Sequence, residues 1–354
     1  MTSTPSTASR IHGCLLGAAA AEAAALAAGQ HSAGQHSTGQ HSAGQHSAGQ
    51  HSAGHHSAGP HSTDDGVLRL GAAGQLSLYT ADALAQVLEW ANDGVYADQA
   101  ACVWLAFLRW ASGQGVALPS SAPPITERWI DTQPAARRRL PERPPWVDSL
   151  AGGEMGSAAR PLGSEYDDGA AAARSAPFGL VQGTPSAAVV SMALDGAALT
   201  HGDRAAMQSA AAVALIIREL VAGAAISDAA EAARAVLAAL RAPSDDVLAA
   251  LDVTPEEGAR LEDASPAARA LAAALSSAII AERTAGPAER TPHSFENAVE
   301  RAADSGPEAA AIAGAILGTL WGDDAVAGAW TRRLEGADVV ARLADELAEA
   351  SGAN

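Results

Sequence analysis

The chain has 354 residues, 22 basic against 40 acidic, and a formal net charge of −18; that length accommodates one large domain or two small ones. All 22 basic residues are arginine, which excludes lysine-based Schiff-base and P-loop chemistry, and no basic patch of any size stands out, which argues against a nucleic-acid partner. Hydrophobic residues make up 48% but aromatics only 4%, so the core is built mainly of alanine and leucine, a composition that suits packed helices better than a sheet.

Residues 1–9 are polar, lack the basic n-region of a signal peptide and are expected to form a disordered N-terminus. The apolar run that follows is broken by Glu22, and no membrane-length stretch of large apolar residues occurs, so the expected setting is cytoplasmic with no membrane association. The two cysteines, Cys14 and Cys102, fall in apolar helical patterns and read as buried small hydrophobes, outside any disulfide framework or zinc motif. Residues 29–62 repeat Gly-Gln-His-Ser-Ala with small variations and hold His31, His36, His41, His46, His51, His55, His56 and His61 of the 11 histidines. With no apolar side chain larger than alanine, this stretch has nothing to build a core from. It is expected to be a disordered low-complexity insert within a domain spanning 10–350. Loop-closure entropy grows slowly with length, so a domain tolerates such an insert. In a floppy chain several of these histidines could gather around Zn²⁺ or Ni²⁺, which leaves a metal-handling role open.

Helical periodicity predicts helices over 77–91 and 98–112, separated by the break at Asn92-Asp93-Gly94. Residues 113–163, rich in proline and arginine, read as short helices and loops that pack through Trp129 and Trp146. Further helices are expected over 184–199, 203–221, 228–241, 265–283, 294–303, 308–321 and 337–350. Pro243-Ser244-Asp245-Asp246 and Thr254-Pro255-Glu256-Glu257 carry N-cap and first-turn signals. No alternating strand pattern runs beyond about four residues. The expected fold class is all-α, in one domain.

Three stretches carry motifs. The first runs Arg10-Ile11-His12-Gly13-Cys14-Leu15-Leu16-Gly17 to Ala21-Glu22. The second is Gly74-Gln75-Leu76-Ser77-Leu78-Tyr79-Thr80-Ala81-Asp82. The third is Asp304-Ser305-Gly306-Pro307-Glu308, followed by Ala310-Ala311-Ile312-Ala313-Gly314. Between them stand Asp168-Gly169, Arg174-Ser175-Ala176-Pro177-Phe178-Gly179-Leu180 and Thr200-His201-Gly202-Asp203. In order and spacing, residues 10 to roughly 335, the histidine-rich insert excepted, resemble the ADP-ribosylglycohydrolase (dinitrogenase-reductase-activating glycohydrolase) family. The resemblance implies a single large helical bundle domain. It also implies a hydrolase that uses two Mg²⁺ ions to remove ADP-ribose from modified proteins or related acceptors.

The same resemblance locates the ligands such a site would need. The family's Thr-Asp-Asp-Thr run directly precedes the glutamine matched by Gln75, which puts Gly71, Ala72, Ala73 and Gly74 in its place. In the C-terminal Gly-Asp-Ser/Thr-Asp-Thr motif, the two metal-binding aspartates fall on Ser305 and Pro307. Magnesium takes hard oxygen ligands, and a two-metal site needs carboxylates converging from different helices. Ala72, Ala73, Ser305 and Pro307 are therefore degenerate metal positions, and no metal ligand or catalytic residue is assigned. Glu22 keeps a carboxylate where the family has aspartate, Arg174 matches an arginine of the segment lining the ADP-ribose cleft, and Asp304 and Glu308 flank the third motif. These four are the ligand-cleft candidates. Thr63-Asp64-Asp65-Gly66 looks like the lost motif ten residues early, and would need residues 67–70 to loop out; Asp65-Gly66 reads more simply as a turn. His201 reads as a helix-end residue with satisfied hydrogen bonds and Asp203 as the next N-cap.

The expected function is that of a catalytically degenerate family member, a binding or structural protein without cofactor, with ADP-ribose or an ADP-ribosylated protein as the ligand to consider. One alternative is an active Mg²⁺-dependent hydrolase with two ions at a relocated site drawn from Asp64, Asp65, Glu22, Asp304 and Glu308. The other is a metal-handling protein that works through its histidine repeat.

Overall fold

Alanine and glycine carry so little side chain that helices can approach to backbone contact, and the centre of the molecule is built this way. The structure, a computed structural model, describes residues 4–38, 66–252 and 261–353. In chain order the helices are α1 (Thr7–Thr38), α2 (Ala72–Asn92), α3 (Gln99–Gly113), α4 (Pro134–Arg137), α5 (Ala170–Ala173), α6 (Ala176–Gly179), α7 (Ser186–Ala198) and α8 (Arg204–Val221). They continue with α9 (Ile226–Ala238), α10 (Asp245–Leu251), α11 (Pro266–Thr284), α12 (Pro292–Ala303), α13 (Pro307–Trp321), α14 (Ala329–Arg333) and α15 (Ala337–Ala350). Among the described residues there is no strand, only two isolated bridges, one of which sets Leu68 parallel to Leu334. The fold is all-α, as its composition requires.

The most extensive pairing is α1 on α13. A Cβ on Gly318 would lie 1.9 Å from the Gly13 carbonyl oxygen, and one on Gly17 would lie 2.4 Å from that of Gly314. The two helices therefore touch main chain to main chain. Arg10 secures the far end of this pair. Its Nη1 donates to the carbonyls of Leu220 at 3.0 Å and Thr319 at 3.2 Å, in the last turns of α8 and α13, where the negative end of each helix favours a cation. Helix α8 is the second hub, packing on α5, α6, α7, α9, α11 and α13. Its N-cap Asp203 accepts from the amides of Ala205 and Ala206, as its sequence position predicts.

Two expectations need correction. Residues 7–9 belong to α1, not to a disordered N-terminus: the Ser6 hydroxyl accepts the Ser9 amide at 3.1 Å, and the Ser9 hydroxyl donates to Asp323. The polar string is a helix cap and not a tail. Residues 29–38 of the repeat continue α1; a helix already nucleated extends over alanine and glutamine at little cost. The rest of the repeat from residue 39 lies outside the described residues, and so do Asp64, Asp65 and Thr254 to Glu257. Thr7–Gln30 is long and apolar enough, by length and composition, to cross a membrane. Alanine supplies much of that hydropathy, with few large apolar residues. In the structure most of this stretch is buried, packed on α13 and α15.

The proline- and arginine-rich segment covers the outer end of α2 and α3. Trp146 stacks on Trp110 with ring centroids 6.2 Å apart, and Arg342 of α15 lies 3.7 Å over the ring of Trp129. Beneath it sits a buried ionic network. Arg109 pairs with Asp82 and Asp131, each at 3.0 Å; Arg128 forks onto Asp82 at 2.8 and 2.9 Å; and Tyr79 donates its hydroxyl to Asp131 at 2.9 Å. Gln75 is equally satisfied. It donates to the carbonyls of Ala135 and Arg138 and accepts from the Trp110 indole at 2.7 Å and from Gln114 at 3.1 Å. The network anchors residues 128–138 to the first half of α2.

Candidate functional site

The family motifs converge on the N-termini of α2 and α13, facing the middle of α1. A helix N-terminus offers unpaired amides and a positive end of the macrodipole, and so attracts anions. At α2 the anion is part of the chain. Glu22 projects from α1, is almost wholly buried, and its Oε2 accepts the amides of Gly71 and Gly74, each at 3.0 Å. Burial pushes its carboxyl up to about 7, the amides of Gly74 and Gly71 hold it down in part, and the charge of Glu308 adds to the rise.

The glycines at 71 and 74 are what makes this seat possible. A Cβ at Gly74 would lie 2.2 Å from Glu22 Oε2, and one at Gly71 would lie 2.8 Å from Oε1. The family pattern has threonine at both positions. Neither threonine fits while Glu22 stays where it is. Glu22, Gly71 and Gly74 therefore form one mutually dependent set, with the carboxylate seated on the N-terminus of α2.

At α13, Gly306 turns the chain with φ of 111°, a backbone angle that favours glycine, and Pro307 opens the helix. Glu308 sits in the first turn, half-buried, with its side chain against Gly169. Burial raises its carboxyl above the usual range, and nearby Asp168 raises it further. Asp304 and Ser305 are exposed at the end of α12. The four ligand-cleft candidates thus separate. Glu22 and Glu308 approach each other, Asp304 stays on the surface, and Arg174 goes into the core.

Arg174 is 1% exposed, between Phe107 at 5.1 Å and Trp146 at 5.5 Å from their ring centroids. That position corrects its reading as a cleft residue: it organises a buried relay. Asp168 can only accept, so the His201 Nε2 3.0 Å away carries the proton. Burial lowers the imidazole's pKa and keeps it neutral, so Nδ1 accepts from the Thr200 hydroxyl at 2.7 Å. Thr200 Oγ1 in turn accepts from Arg174 Nη2 at 2.6 Å. The chain Arg174 to Thr200 to His201 to Asp168 fixes the tautomer and holds Asp168 in its ionised form, lowered by the His201 bond against the opposing pull of burial. His201 is therefore a satisfied core residue. The role of Asp168 beside Glu308 was not legible in sequence, because the partners lie far apart in the chain.

The donor set does not fit two magnesium ions. Ala72 and Ala73 present methyl groups, Pro307 a ring and Ser305 a surface hydroxyl, and Glu22 Oε2 is committed to two amides. Among the described residues, no group of three or more His, Cys, Asp or Glu side chains is placed to hold a metal. No step through a metal follows from these residues.

One solved structure, described as an ADP-ribosylglycohydrolase-related protein complex, is similar over 80% of this chain and 82% of its own, at 20% identity and a TM-score of 0.49. No curated protein matches. The family model for ADP-ribosylglycohydrolase matches residues 3–354, nearly the whole chain. The chain belongs to the ADP-ribosylglycohydrolase family.

Proposed function

We propose that this chain is a non-hydrolysing member of its family, kept for a binding or structural role. The observation that carries the reading is the seat of Glu22. Its carboxylate caps α2 through Gly71 and Gly74, where the family's hydroxyl and carboxylate side chains would stand. A two-metal hydrolase needs carboxylates converging from several helices on both ions, and here Ala72, Ala73, Ser305 and Pro307 do not supply them. ADP-ribose and ADP-ribosylated proteins are the ligand class to try first. The burial of Arg174 favours retention of the scaffold over retention of the cleft.

The test is direct. Purified protein is incubated with a protein carrying ADP-ribose on arginine or serine, in millimolar Mg²⁺, and free ADP-ribose is measured. The proposal expects no release above buffer. Mg²⁺-dependent release would overturn it and bring forward the relocated-site alternative.

A further inference from the structure

The only run of three arginines in the sequence folds onto a single cleft. Arg137, Arg138 and Arg139 line an open cavity of about 570 Å³ with Asp131, Thr132 and Gln133, between the end of α3 and the segment around α4. It shares no residue with the Glu22 site. Its volume falls in the range of small-molecule pockets.

The charge the cleft presents is positive, although the chain as a whole carries −18. Asp131 is the one acid that lines it, and its carboxylate is turned inward to Tyr79, Arg109 and the Arg128 amide. Arg139 donates its Nε to the Gly113 carbonyl at 3.3 Å, and its two terminal nitrogens have no acceptor among the described residues. Arg137 reaches Glu127 at 3.2 Å, but those side chains are 45% and 65% exposed. Arg138 forks bidentately onto Glu335, with side chains 40% and 26% exposed, and is the better held of the two. An exposed single contact such as Arg137–Glu127 holds little energy and yields readily to a stronger anion. The backbone beneath is rigid, because Gln75 ties the carbonyls of Ala135 and Arg138 to α2. A planar guanidinium matches two oxygens of a phosphate at once, and the unpaired end of Arg139 beside the weakly held Arg137, with Arg138 adjoining, favours a multiply charged phosphate over a single carboxylate.

We propose that this cleft is an anion site for a small phosphate-bearing molecule. The site does not depend on whether the family's hydrolase centre is active. Calorimetric titration of the full chain with inorganic pyrophosphate, at low salt so that surface charge is not screened, should give saturable binding at one site. Arg139→Gln should weaken it about tenfold, the loss expected for one charged hydrogen-bonding group. Arg143→Gln, whose partner Asp148 lies outside the cleft, should leave it unchanged. A second measurement covers a variant that does not fold. Wild-type protein is modified with phenylglyoxal, with and without pyrophosphate, and its arginines are mapped by mass spectrometry. Protection confined to Arg137–Arg139 supports the site. No saturable binding, binding unaffected by Arg139→Gln in a folded variant, or protection elsewhere would overturn it.

Discussion

Replacing Glu22 by glutamine should make the protein more stable at alkaline pH and leave it almost unchanged in acid. The folded carboxyl titrates near 7 against an ordinary 4.5, chiefly because it is buried. The folded state therefore binds the proton more tightly than the unfolded state between those values, and stability falls as pH rises through that window. Each pH decade of that difference corresponds to about 1.4 kcal/mol, so wild-type protein forfeits on the order of 3 kcal/mol through this group between pH 4.5 and pH 7. Glutamine keeps an oxygen to accept from Gly71 and Gly74 and carries no charge, so it escapes the loss. The assay is urea unfolding of both proteins at pH 5, 6, 7 and 8. The difference between them should open from about 1 kcal/mol at pH 5 to about 3 kcal/mol at pH 8 in favour of the variant, a rise in melting temperature on the order of 5 °C at the upper end for a domain of this size. A difference that stays flat with pH, or a variant less stable at pH 8, would refute the reasoning that burial outweighs the two amides.

Two other substitutions probe the scaffold. Gly318→Ala forces a Cβ into the Gly13 carbonyl of the facing helix and should cost about 1–3 kcal/mol by overpacking, read as a lower urea midpoint; an unchanged midpoint would mean that α1 and α13 are not at backbone contact. Asp131→Ala removes the acceptor shared by Tyr79, Arg109 and the Arg128 amide and should cost about 3–5 kcal/mol, the penalty for breaking a buried ion pair on one side. A loss below about 1 kcal/mol, the level of an exposed pair, would show that the network is not sealed from water.

Much of the fold was legible because alanine-rich helices bounded by proline, glycine and short polar caps announce themselves. Asp203 and Ser265 cap α8 and α11 where sequence places the starts of those helices. Helix starts built of small residues were not legible. α2 begins at Ala72, five residues before the expected Ser77, because Gly71-Ala72-Ala73-Gly74 shows no periodicity and its cap comes from Glu22, distant in the chain. The same long-range partnership explains the candidate site. That Ala72, Ala73, Ser305 and Pro307 stand where the resemblance places metal ligands could be read residue by residue, but the seat of Glu22 on the helix end could not. Arg174 was misplaced for a related reason: a motif match locates a residue along the chain, and only packing decides whether its charge meets solvent or the rings of Phe107 and Trp146. The arginines at 137–139 read in the sequence only as part of a proline- and arginine-rich segment and not as a basic patch; their positive face emerges because the carboxylate of Asp131 turns inward to Tyr79.

The central claim is that a carboxylate of the chain itself has taken over the helix end at which the family's metal ligands begin. Its most direct test is calorimetric titration of the full chain with ADP-ribose, in the presence and absence of Mg²⁺. The account predicts that the two isotherms superimpose, whether they show binding or none. ADP-ribose binding that requires Mg²⁺ would contradict it, because it would mean that a working metal site survives.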